Sequence, residues 1–264
     1  MRLLSAMRSI QGRRNYQQDN CAFIQQGDCA LLVVCDGNTG IEGDAISKIA
    51  LKSSMAFFLE FSNKVQNAEI TTDRYIKAVG LRMLRKAVAE AVFKKKHYGW
   101  IGGGTTVTAV LLTPFYTGTF WIGDSPAFIY HDEKIEHLIT PHTQAEYLIA
   151  VEGYSREEIS QQPAVNSLLR RCVGYKPCEP EAVINKTPDS CFVVVASDGL
   201  LLKDDEIIEI LKAKDGSSMD MQEIADELVL KSYKNGSGDN ISVIVAEYSE
   251  ESKPTHKMRL TVIE

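Results

Sequence analysis

Four aspartates stand where an apolar, strand-like run meets small residues. Asp36 follows "LLVVC", Asp124 follows "FWIG", Asp198 follows "VVVAS", and Asp239 precedes "NISVIVA". Strand ends on one edge of a sheet converge in space, so such carboxylates repel one another strongly unless divalent cations neutralise them. Oxygen donors without histidine or cysteine select Mg²⁺ or Mn²⁺ over zinc. Gly37, next to Asp36, would let a backbone carbonyl approach an ion. Each aspartate alone reads as the start of a turn, since Asp-Gly is a common turn dipeptide; the four together point to a metal centre.

The elements that must position them follow from pattern. Cys21 to Ile24 and Cys29 to Cys35 read as strands, joined by a hairpin turn at Gln26-Gly27-Asp28. From Asp44 to Phe61 and from about Asp73 to His97 the apolar period becomes helical, as in Ile76, Val79, Met83, Leu84, Ala87, Val88 and Ala91. Ser62 to Thr72 connects the two helices, Asp73 suits an N-cap or first-turn acid, and "KKKH" before Gly99 suits a helix end. "GGGTTVTAVLL", "GTFWIGD" and "PAFIYHDEKIEHLI" form a strand meander with a turn at Asp132-Glu133. "GGGTT" lacks the Gly-Lys-Ser/Thr of a phosphate-cradling loop, so it reads as the start of a strand. A polar stretch from Pro141 to Pro163 carries helices near Gln144 to Val151 and Ser155 to Gln161, an insertion between strands. "CFVVVASDG", helices near Asp204 to Lys212 and Met221 to Tyr233, and "NISVIVAEY" complete the order, and "MRLTVI" in the tail suits one more strand. Adjacent antiparallel strands, rather than strict βαβ alternation, indicate an α+β chain.

Composition narrows the function classes. The 264 residues suit one domain with a sizeable core. A formal charge of −6 lacks the basic excess of a phosphate-backbone binder, so nucleic acid is not an expected partner. "MRLLSAMRSI" is too short an apolar patch for a signal peptide and no later run approaches a membrane span, so the expectation is a cytoplasmic protein without membrane contact. The six cysteines form no CxxC pair and read as buried thiols; the five histidines form no HxxxH or HExxH, so zinc hydrolysis has no ligand set.

"GRRNYQQDN", "VVCDGNTG", "GGGTTVTAVLL", "WIGDSPAFIY", "VVVASDGLL" and "GSGDNISVIV" occur in that order between about Gly12 and Val245. The ordered set resembles the motifs of the metal-dependent protein phosphatases of the protein phosphatase 2C family, in their compact bacterial stand-alone form. The resemblance implies a four-layer α-β-β-α sandwich, two antiparallel β-sheets flanked by helix pairs, with a binuclear Mn²⁺ or Mg²⁺ centre at one edge. It implies a flap at about residues 141–165 of a single domain spanning 1–264. Motif by motif, Asp36 resembles the aspartate that bridges two metals and Gly37 the donor of a backbone carbonyl. Asp198 and Asp239 match ligands of the first metal. Asp19 belongs to the acidic pair near the second. Asp124 matches the ligand of a third, weaker ion. Arg14, by itself a surface arginine like Arg13, matches the phosphate-binding arginine, whose guanidinium fork suits two phosphoryl oxygens.

The chain departs from the family pattern at several of these places. Gln18 stands where glutamate is usual beside Asp19, and "GDSP" where "GDSR" is usual. Asn38 occupies the place of a histidine proposed as general acid in many animal members, or of a bacterial methionine, and asparagine cannot donate a proton at neutral pH. "TPHT" replaces an Asp-His-Ser type stretch at the start of the flap; its His142 reads as an exposed loop histidine or a substrate contact.

The function implied is hydrolysis of phosphoserine and phosphothreonine on proteins by a metal-activated water attacking phosphorus in line, without a phosphoenzyme. Phosphorylated proteins made by a Ser/Thr kinase are the implied partners, and a monomer is the default. Two alternatives stand beside it: a catalytically silent binding or sensing module of the same fold, kept alive by Asn38 and Gln18, and a phosphatase for a small phosphorylated metabolite. Retention of Asp19, Asp36, Asp124, Asp198 and Asp239 favours activity.

Overall fold

The computed structural model of the chain describes residues 2–38, 40–65, 72–162, 165, 168–175, 178–216 and 219–249. The strand expected at "MRLTVI" lies outside them.

The chain opens with β1 (Arg2–Ile10), β2 (Asn20–Gln26), β3 (Cys29–Cys35) and the short β4 (Gly37–Asn38), followed by α1 (Gly43–Val65) and α2 (Asp73–Tyr98). Then come β5 (Gly104–Thr105), β6 (Val107–Leu112), β7 (Tyr116–Ile122), β8 (Ala127–His131) and β9 (Lys134–His137). Two short helices, α3 (Gln144–Glu152) and α4 (Arg156–Ser160), precede β10 (Glu181–Lys186) and β11 (Ser190–Ala196). Helices α5 (Asp204–Gly216) and α6 (Met221–Lys234) lead to β12 (Ile241–Ser249).

Ten of these strands form two five-stranded sheets, β1-β12-β11-β8-β9 and β10-β7-β6-β3-β2, in which every neighbouring pair is antiparallel, and β4 pairs with β5 in a two-stranded sheet. Helices α1 and α2 cover the second sheet and α5 and α6 the first, giving the expected α-β-β-α order. The alternation of side chains explains why the central strands are apolar throughout. In β3, Leu32 and Val34 face the opposing sheet, while Leu31, Val33 and Cys35 face α1 and α2. In β11, Val193 and Val195 face inward and Val194 and Ala196 meet α5 and α6.

Local chemistry sets the helix limits. Thr72 caps α2 by accepting from the Tyr75 N–H at 3.2 Å, so Asp73 is a first-turn acid rather than the cap. Gly99 ends the helix at φ 67°. Gly80 lets α2 lie against the second sheet: a Cβ there would stand 2.0 Å from the Phe120 ring. In the β8–β9 hairpin Asp132 and Glu133 both take positive φ, 47° and 61°, as a two-residue primed turn requires. All six cysteines are free thiols. No helix among the described residues is long and apolar enough to cross a membrane.

In an antiparallel sheet, alternate strands begin and end at the same edge. Asp36, Asp124 and Asp198 follow the ends of β3, β7 and β11, while Asp19 and Asp239 precede the starts of β2 and β12. All five therefore lie at one edge of the two sheets, as does the loop between β1 and β2 that carries Arg14.

Candidate metal centre

Asp36 is held at its backbone by Thr106, at the start of β6. The Thr106 amide donates to the Asp36 carbonyl at 2.9 Å, and its hydroxyl accepts from the Asp36 N–H at 3.0 Å. The same hydroxyl lies 2.6 Å from that of Ser125, tying Asp36 to the turn that carries Asp124. Gly37 is glycine because of crowding: a Cβ would lie 2.6 Å from the Gln18 carbonyl oxygen and 2.7 Å from that of Gly43.

Arg14, Asp36, Gly37, Asp124, Asp198 and Asp239 line one cleft of ≈ 600 Å³. Burial holds the Asp36 carboxyl well above the usual carboxylate range, and the charges of Asp19, Asp198 and Asp239 push it the same way. Its side chain lies within hydrogen-bonding reach of Asp198, which raises it further. Asp198 is itself raised by burial, with the bond from Asp36 opposing and the charge of Asp239 adding. Burial, then the charge of Asp198, pushes Asp124 up to about 7.

Arg14 reaches Asp239 at 2.6 Å, and that bond chiefly raises the guanidinium pKa. Asn240 holds the loop that delivers it. The Asn240 amide nitrogen donates to the carbonyls of Gln11 at 2.7 Å and Tyr16 at 2.8 Å, and its oxygen accepts from the Gln18 N–H at 2.9 Å. Arg13 points elsewhere, over the Tyr233 ring at 4.9 Å.

Asp19 sits behind the cleft wall rather than in it, buried, with neither carboxylate oxygen closing a hydrogen bond of good geometry. Burial raises it to about 6; the hydroxyls of Ser197 and Ser242 are near enough to oppose that without capturing it. Among the described residues no three His, Cys, Asp or Glu side chains close into one ligating shell. Asp239 pairs with Arg14, and Asp36 lies beside Asp198. The donor set nonetheless fits a hard divalent cation. It is all oxygen, its carboxyl groups crowd one another, and both Asp19 oxygens are buried without a hydrogen bond of good geometry.

The family profile for protein phosphatase 2C matches residues 8–226. The chain belongs to the protein phosphatase 2C family. Membership carries the family's activity, metal-dependent dephosphorylation of protein serine and threonine at a Mn²⁺ or Mg²⁺ centre. This phosphatase is 25% identical over 250 residues to the serine/threonine phosphatase stp of Listeria monocytogenes, covering 91% of this chain and 94% of that one. Among solved structures, the PPM Ser-Thr phosphatase MsPP of Mycobacterium smegmatis, in complex with cacodylate, superposes with a TM-score of 0.72 at 27% identity, over 92% of this chain and 97% of that one. The catalytic domain of the phosphatase PstP, solved with two manganese ions, shares the fold at TM-score 0.75 and 22% identity, over 94% and 99% of the two chains.

Sequence reasoning misplaced one residue of this phosphatase and missed others. His142 is not an exposed loop residue: it is 8% exposed, packed against Trp121, with Nδ1 accepting from the Gly123 N–H. "TPHT" read as loop because it is polar; no local signal reveals that it folds back under β7. Thr106 and Asn240 were hidden by type, since either suits a strand start or a turn. Tyr16, Ile41 and Leu169 line the mouth of the cleft, and the first two are exposed. Gln18, in the place of the usual acid, donates its amide to the Gly40 carbonyl at 2.7 Å, a bond that a carboxylate could not make.

Proposed function

We propose that this phosphatase is catalytically active, with Asp36, Asp198, Asp239 and the Gly37 carbonyl holding two Mn²⁺ or Mg²⁺ ions, Asp19 supporting the second from behind, and Asp124 holding a third. The observation that carries this reading is the meeting of one guanidinium fork, Arg14, with buried carboxylates in a single cleft. When bound, the ions supply neutralisation of phosphoryl charge and a water acidic enough to attack phosphorus. Arg14, in this reading, swings from Asp239 to two phosphoryl oxygens and holds the charge that grows on them. Asn38 has no proton to give, so the leaving oxygen takes one from water in the cleft. The exposed Tyr16 and Ile41 at its mouth suit a polypeptide flanking the phosphorylated residue better than a small polar metabolite.

Within the same proposal the chain works as a cytoplasmic monomer, one domain with residues 141–165 as a flap over the cleft, against the products of a serine/threonine kinase. The test is hydrolysis of p-nitrophenyl phosphate and a phosphothreonine peptide with Mn²⁺, Mg²⁺, Ca²⁺ or EDTA. Turnover should need Mn²⁺ or Mg²⁺ and vanish in Asp36→Ala. Turnover retained in that variant refutes the ligand assignment, and inactivity despite calorimetric metal binding returns the silent binding module.

A further inference from the structure

His142 makes contacts that neither a loop residue nor a substrate contact requires. Its backbone N–H donates to the Gly123 carbonyl at 2.9 Å, and its Nδ1 accepts from the Gly123 N–H at 3.0 Å. Both polar groups of one peptide residue are thus held by one histidine. Gly123 lies at φ 115°, and a Cβ there would meet the Thr106 side chain at 2.6 Å, so the turn is confined on its other side as well. The next residue is Asp124.

An amide N–H can only donate, so Nδ1 must be the unprotonated nitrogen and the proton sits on Nε2. Nε2 faces Glu181 Oε1 at 3.3 Å. Arg171 Nη1 lies 3.4 Å from Nε2, but both carry hydrogens and converge on Glu181, which Arg171 reaches at 2.5 Å. Glu181 begins β10 directly opposite Trp121, whose ring stacks on the imidazole at 5.9 Å between centroids. The tautomer and plane of the ring are therefore fixed from three sides.

The same residue closes the root of the segment carrying α3 and α4. The Arg170 N–H donates to the His142 carbonyl and the Gln144 N–H to the Leu168 carbonyl, both at 2.8 Å. Leu169, between those two returning residues, lines the catalytic cleft.

We propose that His142 is a positioning residue that clamps Gly123 so that Asp124 is aimed into the cleft, and that it joins the root of the α3–α4 segment to that aspartate. The inference rests on the reading of Asp124 as a divalent-ion ligand. A group that orients a ligand commonly changes metal affinity by about 10- to 100-fold when it is lost.

The test compares the wild type with His142→Asn, whose Oδ1 takes the place of Nδ1, and with His142→Gln and His142→Leu, which offer no acceptor there. Two quantities are read without turnover: hydrogen exchange at the Gly123 amide, and Mn²⁺ binding at the weakest site by calorimetry. Thermal melts establish that each variant is folded. Wild type and His142→Asn should keep the amide slow and the weak site intact. In Gln and Leu the amide should exchange at least about tenfold faster and the weak site lose about tenfold in affinity. The clamp is overturned if the wild-type Gly123 amide exchanges as fast as an open one, or if folded Asn and Leu variants bind Mn²⁺ alike. The wild-type imidazole ¹⁵N shifts give a reading independent of any variant; a proton on Nδ1 also overturns it. Failure of the phosphatase reading would instead appear as wild-type inactivity on phosphoesters and leave these readouts unaffected.

Discussion

Arg14 Nη2 and Asp239 Oδ2 stand 2.6 Å apart, a bond between the start and the end of the described chain. In the proposed reaction each partner is needed elsewhere, the guanidinium by phosphate and the carboxylate by a cation, so the pair competes with both. Arg14→Ala should therefore act in opposite directions. kcat/KM on a phosphothreonine peptide should fall about 100-fold, as for loss of one oxyanion-holding donor. Mn²⁺ binding should tighten severalfold, the worth of about 1 kcal/mol for an ion pair that solvent reaches. Calorimetry beside steady-state kinetics decides; weaker Mn²⁺ binding in the variant would count against the competition.

Chelation tests the carboxylate cluster itself. Asp19, Asp36, Asp124 and Asp198 are all held above the carboxylate range, first by burial and then by the charges of neighbouring aspartates, Asp239 included. Mn²⁺ at about 100 times its dissociation constant should stabilise the wild type by about 2.7 kcal/mol over EDTA. Asp36→Asn should melt higher than the wild type in EDTA, because one repelling group is gone, and gain little from Mn²⁺. Urea denaturation with and without metal measures both, and a variant less stable in EDTA would argue that the repulsion is unimportant.

Asn240 is buried and bonds to Gln11, Tyr16 and Gln18. Asn240→Ala strands two carbonyls and one N–H, and should cost about 3 kcal/mol in a urea melt. Because those bonds hold the loop around Arg14, KM for a phosphopeptide should also rise in the folded variant. A stability loss without any kinetic change would confine Asn240 to structure.

Burial, then Arg171, holds the His142 imidazole below its ordinary 6.5, with Glu181 opposing. Between the lowered folded value and 6.5 the unfolded chain binds a proton that the folded chain does not. Stability from this group is therefore full above 6.5 and lost as pH falls through the folded value. Denaturation at about pH 5 and about pH 7 should show a larger acid loss for the wild type than for His142→Asn. Equal losses would remove His142 from the acid response.

The order of strands and helices was legible because the central strands are apolar on both faces and meet aspartate at their ends, and because α2 carries an uninterrupted helical stripe; the sandwich itself came from the family resemblance. Three strands escaped, one of them the two-residue β4. β1, "RLLSAMRSI", mixes polar and apolar residues without the alternation of a half-buried strand, and β10 reads "EAVINK"; both take an edge of a sheet, where one side needs no partner. Asp36, Asp124, Asp198 and Asp239 were readable at strand ends, and Asp19 and Arg14 only through the family motifs that carry them. Thr106, Asn240 and His142 were not, since their roles arise from hydrogen bonds to backbone brought near only by tertiary folding.

β1 pairs with β12 along its whole length, from Arg2↔Ser249 to Ile10↔Ile241. β1, at the edge of its sheet, thus waits for β12 before it has a strand neighbour. Pairings so distant in sequence close late and slowly. Arg14 rides just beyond the end of β1, and Asp239 arrives just before β12. The meeting of Arg14 with Asp239 therefore waits on the pairing of the two strands most distant in sequence among those described, so the cleft is the last part of the sandwich to be completed.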